Sequence, residues 1–225
     1  MKVRMFLTAF CLAMFTSSCD QEEERIYCCN KEINDYVVEH LDNIQKMTRS
    51  EWLSCEEEKK GPMFGAFNPE QKVSFWKEKL NEVLLLEWND LERKHIIELL
   101  DFVEDPDNLC FFNTGIEKTE EQTDFFDIFV IKWVEYAYET LKWNKHQVAA
   151  IVASGNKMID KTGQLQINQV KRVKAASELQ NCNCNQTWYG DFCGFNATCE
   201  DIDCYPVPYC GFLLLQECNG MCEPL

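Results

Sequence analysis

Eight cysteines crowd the last stretch of this chain: Cys182, Cys184, Cys193, Cys199, Cys204, Cys210, Cys218 and Cys222. Thiols at such density either oxidise in pairs or bind a soft metal as thiolates. The spacing speaks for oxidation, because the segment has no Cys-x₂-Cys pair and no histidine, the usual ingredients of a zinc site. A segment this short cannot bury a conventional core, so cross-links must supply the stability. Residues 181–225 therefore read as a disulfide-bonded module, irregular or β in structure, with no metal and no cofactor expected. Eight cysteines can pair in many ways, and spacing alone does not choose among them.

Cys19 invites a different chemistry. Lys2 and Arg4 precede a short apolar run, Met5 to Phe15, and Thr16-Ser17-Ser18 then leads into Cys19. The run is too short to span a bilayer and has the layout of an export signal. The small residues before Cys19 resemble the lipobox of bacterial lipoproteins, whose cysteine is acylated and becomes the new N-terminus. The plainer alternative is an ordinary signal cleaved near Ser18. Residues 1–18 are expected to be removed, leaving Cys19 as the lipid attachment point and the membrane as a partner through that lipid. Parity leaves room for two further bridges among Cys28, Cys29, Cys55 and Cys110.

Charge excludes some partners. The chain carries 22 Lys+Arg against 38 Asp+Glu, a net of −16. Loss of Lys2 and Arg4 makes that −18. Such a field repels nucleic acid and anionic lipid surfaces. Asp20 to Glu24 forms an acidic cluster directly after Cys19. It reads as a solvated tether over residues 19–30, or as the kind of surface-export signal seen in some Gram-negative lipoproteins.

The elements that must carry this module are helical. Ile33, Val37, Leu41 and Ile44 mark one stripe. Thr48-Arg49-Ser50-Glu51 is a capping box that places Trp52 and Cys55 on a second short helix. Gly61 to Phe67, with Pro62 and Gly65, reads as a loop. Asn68-Pro69 opens a helix bearing Val73, Trp76, Leu80 and Val83, and Asn89-Asp90-Leu91-Glu92 opens the next, through Ile96, Leu99 and Val103. Thr119 caps a long helix, about Thr123 to Lys142, that is apolar around most of its girth and reads as the central core helix. Asn144 caps one more, ending at Gly155. Trp88-Asn89 and Trp143-Asn144 recur in similar settings, as two helical hairpins of like build would require. The expectation is a mainly α fold: a bundle-like helical domain over 31–155, a connector helix or linker over 156–180, and the cysteine-rich module over 181–225. After Lys174 there is no basic residue, while residues 181–225 hold six acids.

The Asn181-Cys182-Asn183-Cys184 opening, the Cys210-Gly211 pair and the Cys218-Asn219-Gly220 end resemble fulvocin C, a small disulfide-rich bacteriocin. The signal, helical body and cysteine-rich end together resemble the bacteriocin fulvocin C-related lipoproteins. The last two cysteines are four apart, where a Cys-x-Cys closes that pattern. Taken literally, the resemblance implies an antibacterial toxin precursor whose tail is active and whose helical domain carries or masks it.

Catalytic constellations are scarce. His40, His95 and His146 are scattered over expected helices, and no zinc-protease, nucleophile-elbow or phosphate-loop motif is present. No catalytic residue is expected. Trp188, Tyr189, Phe192, Phe195, Tyr205, Tyr209 and Phe212 crowd the module, which has little interior to hide them. They form the candidate binding surface, unless they dock onto the helical body. The chain thus reads as an exported, lipid-anchored envelope protein of the outer membrane, presenting a rigid module to a protein or glycan partner.

Overall fold

The long helices begin on side chains that satisfy their first backbone N–H groups. In the computed structural model, which describes residues 26–167, 180–187, 190–193 and 197–224, α1 (Lys31–Glu39) starts on Asn30. The short α2 (Leu41–Ile44) follows at once. Thr48 and Glu51 close a capping box at α3 (Arg49–Ser54), and α4 spans Glu57–Gly65. Asn68 caps α5 (Pro69–Val83) with proline in the first turn. Asn89 and Glu92 close the box of α6 (Asp90–Glu104). After a single 3₁₀ turn and the short α7 (Leu109–Phe112), Thr119 and Gln122 box α8 (Glu120–Glu135). Asn144 and Gln147 do the same for α9 (Lys145–Val152). Each such cap contributes about 1 kcal/mol and fixes where its helix begins.

The chain is mainly helical, with a small disulfide-rich module at its C-terminal end. Trp76, Trp133, Phe64, Phe112, Leu80, Ile96 and Leu99 are all essentially inaccessible and form one core. His95 on α6 and Trp133 on α8 are tied twice. The Trp133 indole N–H donates to the His95 carbonyl at 3.1 Å, and His95 Nε2 meets the Trp133 carbonyl at 2.9 Å. Their rings stack at 4.4 Å. His95 is a core rivet between two helices, and burial pushes its pKa down. The two Trp-Asn corners meet, with Trp88 and Trp143 ring centroids 5.4 Å apart. Ile96 and Ile151, which follow those corners, are both fully buried.

Three expectations need correction. The stretch Gly61 to Phe67 is not a loop, because Gly61 to Gly65 completes α4. Its two glycines look like breakers, but they stand one helical turn apart and make room for a ring from the module. Nor is α8 a central core helix buried on all sides. Phe126, Val130, Trp133 and Val134 are buried, but Phe125 and Ile128 on its other flank are half exposed. Its regular part also stops at Glu135, where a π turn (Tyr136–Thr140) begins. Finally, the described start of the connector is a hairpin rather than a helix. There β1 (Lys157–Met158) pairs antiparallel with β2 (Leu165–Gln166), across the Asp160–Gly163 turn. The rest of the connector, residues 168–179, lies outside the described residues.

The least expected feature of the body is a set of buried cations. Arg49, Lys60, Lys72 and Lys79 are all at most 4% exposed. Three of them converge on the turn after α9. Arg49 Nε donates to the Gly155 carbonyl at 3.0 Å, Lys79 Nζ to the Asn156 carbonyl at 2.5 Å, and Lys60 Nζ to Asn156 Oδ1 at 2.9 Å. Glu57 answers Lys60 at 2.9 Å and Glu82 answers Arg49 at 3.2 Å. Lys79 has only a neutral carbonyl, and burial lowers its pKa to about 7. Lys72 rests on the Thr114 hydroxyl at 2.9 Å and is lowered to about 8 by burial.

Candidate functional site

All eight tail cysteines are paired: Cys182–Cys204, Cys184–Cys199, Cys193–Cys222 and Cys210–Cys218. The sulfurs of Cys184, Cys193 and Cys199 lie within 4.8 Å of one another. Each is committed to a disulfide and cannot act as a thiolate ligand. Around them the two strands β3 (Ala197–Glu200) and β4 (Met221–Pro224) run antiparallel, with Cys199 opposite Cys222. Gly220 lets the backbone close up, since a Cβ there would stand 2.6 Å from the Glu200 carbonyl oxygen and 2.8 Å from Cys199 Sγ. Four disulfides belong to an oxidising compartment. Among the described residues no helix is long and apolar enough to cross a membrane.

The two further bridges do not form. Cys28, Cys55 and Cys110 are thiols, so the parity expectation fails for the set Cys28, Cys29, Cys55 and Cys110. Cys28 and Cys29 are instead held by the first residue of the module. Asn181 Oδ1 accepts the Cys29 backbone N–H at 2.8 Å, and Asn181 Nδ2 donates to Cys28 Sγ at 3.1 Å and to Tyr209 Oη at 3.3 Å. The Tyr209 hydroxyl in turn donates to the Tyr27 carbonyl at 3.0 Å. Tyr27 and Cys28 are buried by this clasp. The expectation of a solvated tether over residues 19–30 therefore does not hold at Tyr27 and Cys28, and residues 19–25 lie outside the described residues. Burial, with Cys28 and Cys29 close by, holds the Tyr209 phenol far above its usual range.

Two module aromatics dock on the body. Tyr209 lies in the groove left by Gly61 and Gly65, where a Cβ would come within 2.6 Å and 2.9 Å of its ring. Phe212 goes deeper and is fully buried with Leu213. It meets Phe126, Phe129 and Trp133 of α8 edge-on, with centroids 6.3, 6.3 and 5.7 Å away, and Phe192 at 6.2 Å. Leu213 and Leu214 both sit at φ +55°, a left-handed conformation that costs about 1–2 kcal/mol per residue outside glycine. Burial of Phe212 and Leu213 offsets that strain, and the Cys210–Cys218 bridge with the Cys210–Gln216 backbone pair holds the loop in shape.

Tyr209 and Phe212 are therefore contacts with the body, not an outward surface, and the half-buried Phe192 packs against Phe212. Tyr205 is half-buried and packs beside Val207 in the module's own small core. A module whose own core is this small buries its remaining aromatics where apolar area is on offer, and α8 with α4 offers it. Trp188, Tyr189, Phe195 and Cys19, the expected lipid attachment point, lie outside the described residues.

Docking leaves a cleft of about 760 Å³ between the π turn at the end of α8, α9 and the module. Glu135, Tyr138 and Lys145 line it from the body, and Gln186, Thr187 and Asp191 from the module. Lys145 spans the seam, meeting Asp191 at 2.5 Å and the Ala197 carbonyl at 3.0 Å. Burial alone would raise the Asp191 pKa. The Lys145 ammonium and the N–H groups of Cys199 and Cys193 outweigh it, so the carboxylate is held below its usual range. No family model, curated protein or solved structure matches this chain.

Sequence reasoning reached the disulfide cysteines but missed Lys145, Glu135 and Tyr138, whose spacing carries no motif. The glycine pair reads as a loop in the sequence, and its groove on α4 is seen only with Tyr209 in place. Gly61→Ala should lower stability by about 1–3 kcal/mol in urea unfolding, since Tyr209 is pinned at its hydroxyl and cannot yield. Combined with Tyr209→Ala, the same change should become neutral or stabilising, as alanine is the better helix former by about 1 kcal/mol. Additive losses would show that the ring does not occupy the groove in solution.

Proposed function

We propose that this chain is an exported envelope lipoprotein, attached to the outer membrane through Cys19. In this reading the seated module and the helical body together bind a glycan of the cell envelope. The observation that carries the binding half is the cleft across the seam. Its lining combines a tyrosine ring, two carboxylates, an ammonium, an amide and a hydroxyl, and it is built from both units at once. Sugar rings offer apolar C–H faces to aromatic side chains and hydroxyls to amides and carboxylates, so this mixture suits them. A preformed, cross-linked wall loses little ordering entropy on binding. The export signal, the lipobox-like residues before Cys19 and the four disulfides support the location.

The test uses the full oxidised chain against polysaccharide and peptidoglycan fractions of the native envelope. Retention of at least one fraction is expected, with a drop of about tenfold in Tyr138→Ala and Glu135→Ala, equivalent to the loss of one good contact. If no fraction is retained, or if the variants bind as the parent does, the glycan reading fails. Labelling with a radioactive fatty acid, compared between the parent and Cys19→Ser, separately tests the anchor.

A second reading, the masked toxin, has one observation in its favour. The body covers Phe212 and Leu213, part of the apolar run that an isolated tail could push into a target membrane. Against release stands the clasp at Asn181, which ties the first residue of the module to Cys28 and Cys29. A chain cut before Asn181 is therefore expected to keep its module through gel filtration. Recovery of a free, growth-inhibiting module would favour the toxin.

A further inference from the structure

A second cleft, of about 640 Å³, opens between α3 and α5 on the body, away from the module. Its lining is unusual for a chain of net −16. Arg49 of α3, Lys77 of α5 and Lys157 of β1 face it, with Glu78 and Glu82 as the carboxylates. The cations are unequal in their commitments. Lys77 is paired with Glu104 at 2.5 Å. Lys157 is exposed and makes no ion pair with a described residue. Arg49 is only 4% exposed. It spends its Nε on the Gly155 carbonyl and one N–H of each terminal nitrogen on Glu82, at 3.2 and 3.4 Å. A guanidinium has five N–H donors, so two remain for another acceptor. The hydroxyls of Ser50 and Ser74 and the amide of Asn81 stand on the same walls.

Behind this floor Lys79 is fully buried, lies near both Arg49 and Glu82, and hydrogen-bonds to a neutral carbonyl. Whenever Lys79 holds its proton, the buried positive charge of Arg49 and Lys79 exceeds the one negative charge of Glu82. Buried charge without a partner is costly, and an anion that enters the cleft relieves that excess. We propose that the cleft between α3 and α5, floored by Arg49 and rimmed by Lys77 and Lys157, binds a small multivalent oxyanion, phosphate or carboxylate in kind. The acidic surface elsewhere repels an anionic membrane, so the anion is a free one rather than a lipid headgroup. The site is independent of the seam cleft and of its reading.

Equilibrium dialysis of the full chain with labelled inorganic phosphate tests this, with citrate as the carboxylate probe. Ionic strength is held constant with sodium chloride, because any salt screens an acidic protein. One equivalent of phosphate or citrate should bind in about the millimolar range. A saturating concentration should raise the thermal midpoint by about 2–4 °C. Lys157→Glu, an exposed change that leaves the fold intact, should weaken binding about tenfold or more and remove the shift. The proposal is overturned if neither anion binds, if chloride alone reproduces the shift, or if Lys157→Glu binds as the parent does. Stronger binding to phosphatidylglycerol vesicles than to the free ions would also overturn it.

Discussion

Phe212→Ala is expected to destabilise the whole protein by about 3–5 kcal/mol, the usual loss for emptying a fully buried phenylalanine site. The ring is the module's deepest contact, enclosed by Phe126, Phe129 and Trp133 of α8. Its loss leaves a cavity under α8 and withdraws the burial that offsets two left-handed leucines. Because the site belongs to body and module together, both should report the loss. In a Trp188→Phe background the remaining tryptophans all lie in the body, so fluorescence follows the body while protease sensitivity near the disulfides follows the module, and their urea midpoints should fall together. A loss below about 1 kcal/mol would mean that the module rests on the body without depending on it. A shift of the module's midpoint alone would mean the same.

The second large effect concerns pH. Lys79 has a folded pKa of about 7 against 10.5 in an unfolded chain. Below pH 7 both states hold the proton, and the full cost of a buried ammonium is present. Between pH 7 and about 10 the unfolded chain keeps its proton while the folded protein has lost it. Stability therefore rises with pH across that window, by up to about 1.4 kcal/mol per unit for this one group. Lys72, lowered to about 8, adds in the same direction over the upper part of the range. Cys55, raised by burial above its usual value of 9.0, opposes the rise once unfolded thiols ionise. Tyr209, raised well above 10.0, opposes it further where unfolded phenols ionise. The optimum should thus lie on the alkaline side, at about pH 9–10. Urea midpoints at pH 6.5, 8 and 9 should climb in order. In Lys79→Met the climb should shrink by about one proton's worth, and stability at pH 6.5 should not fall below that of the parent. A flat profile shared by both proteins would show that Lys79 is not buried as described.

Which parts of this were readable beforehand follows from how local their causes are. Thr48, Asn89, Thr119 and Asn144 each act on N–H groups within three residues, so their helix starts could be placed from short strings. Gly61 and Gly65 take their meaning from Tyr209, far along the chain, and without it they look like breakers. Likewise Phe212 reads as surplus surface until α8 is seen to expose a socket. The disulfide cysteines were legible as a set because density signals oxidation, but their pairing depends on how β3 meets β4. The buried lysines have a positional signature only. Lys72 and Lys79 are seven apart on α5, on the same flank as Phe75, Trp76 and Val83, which is where an amphipathic helix keeps its apolar residues. Their charge points to solvent while their position points to the core. The seam cleft had no local signature, since its walls come from stretches that fold together only when the module docks.

The clasp at Asn181 has a mechanical meaning. A pull on the chain ahead of residue 26 enters the fold at Tyr27 to Cys29, where Asn181 and Tyr209 hold on by hydrogen bonds. Those bonds belong to the cross-linked module, whereas α1, which begins at Lys31, belongs to the body. Tension is thus divided at the point of entry between a stapled unit that cannot lengthen and a helical one that can. The module acts as a strain relief, like the collar where a cable enters its housing, and the helices behind it are spared the first load.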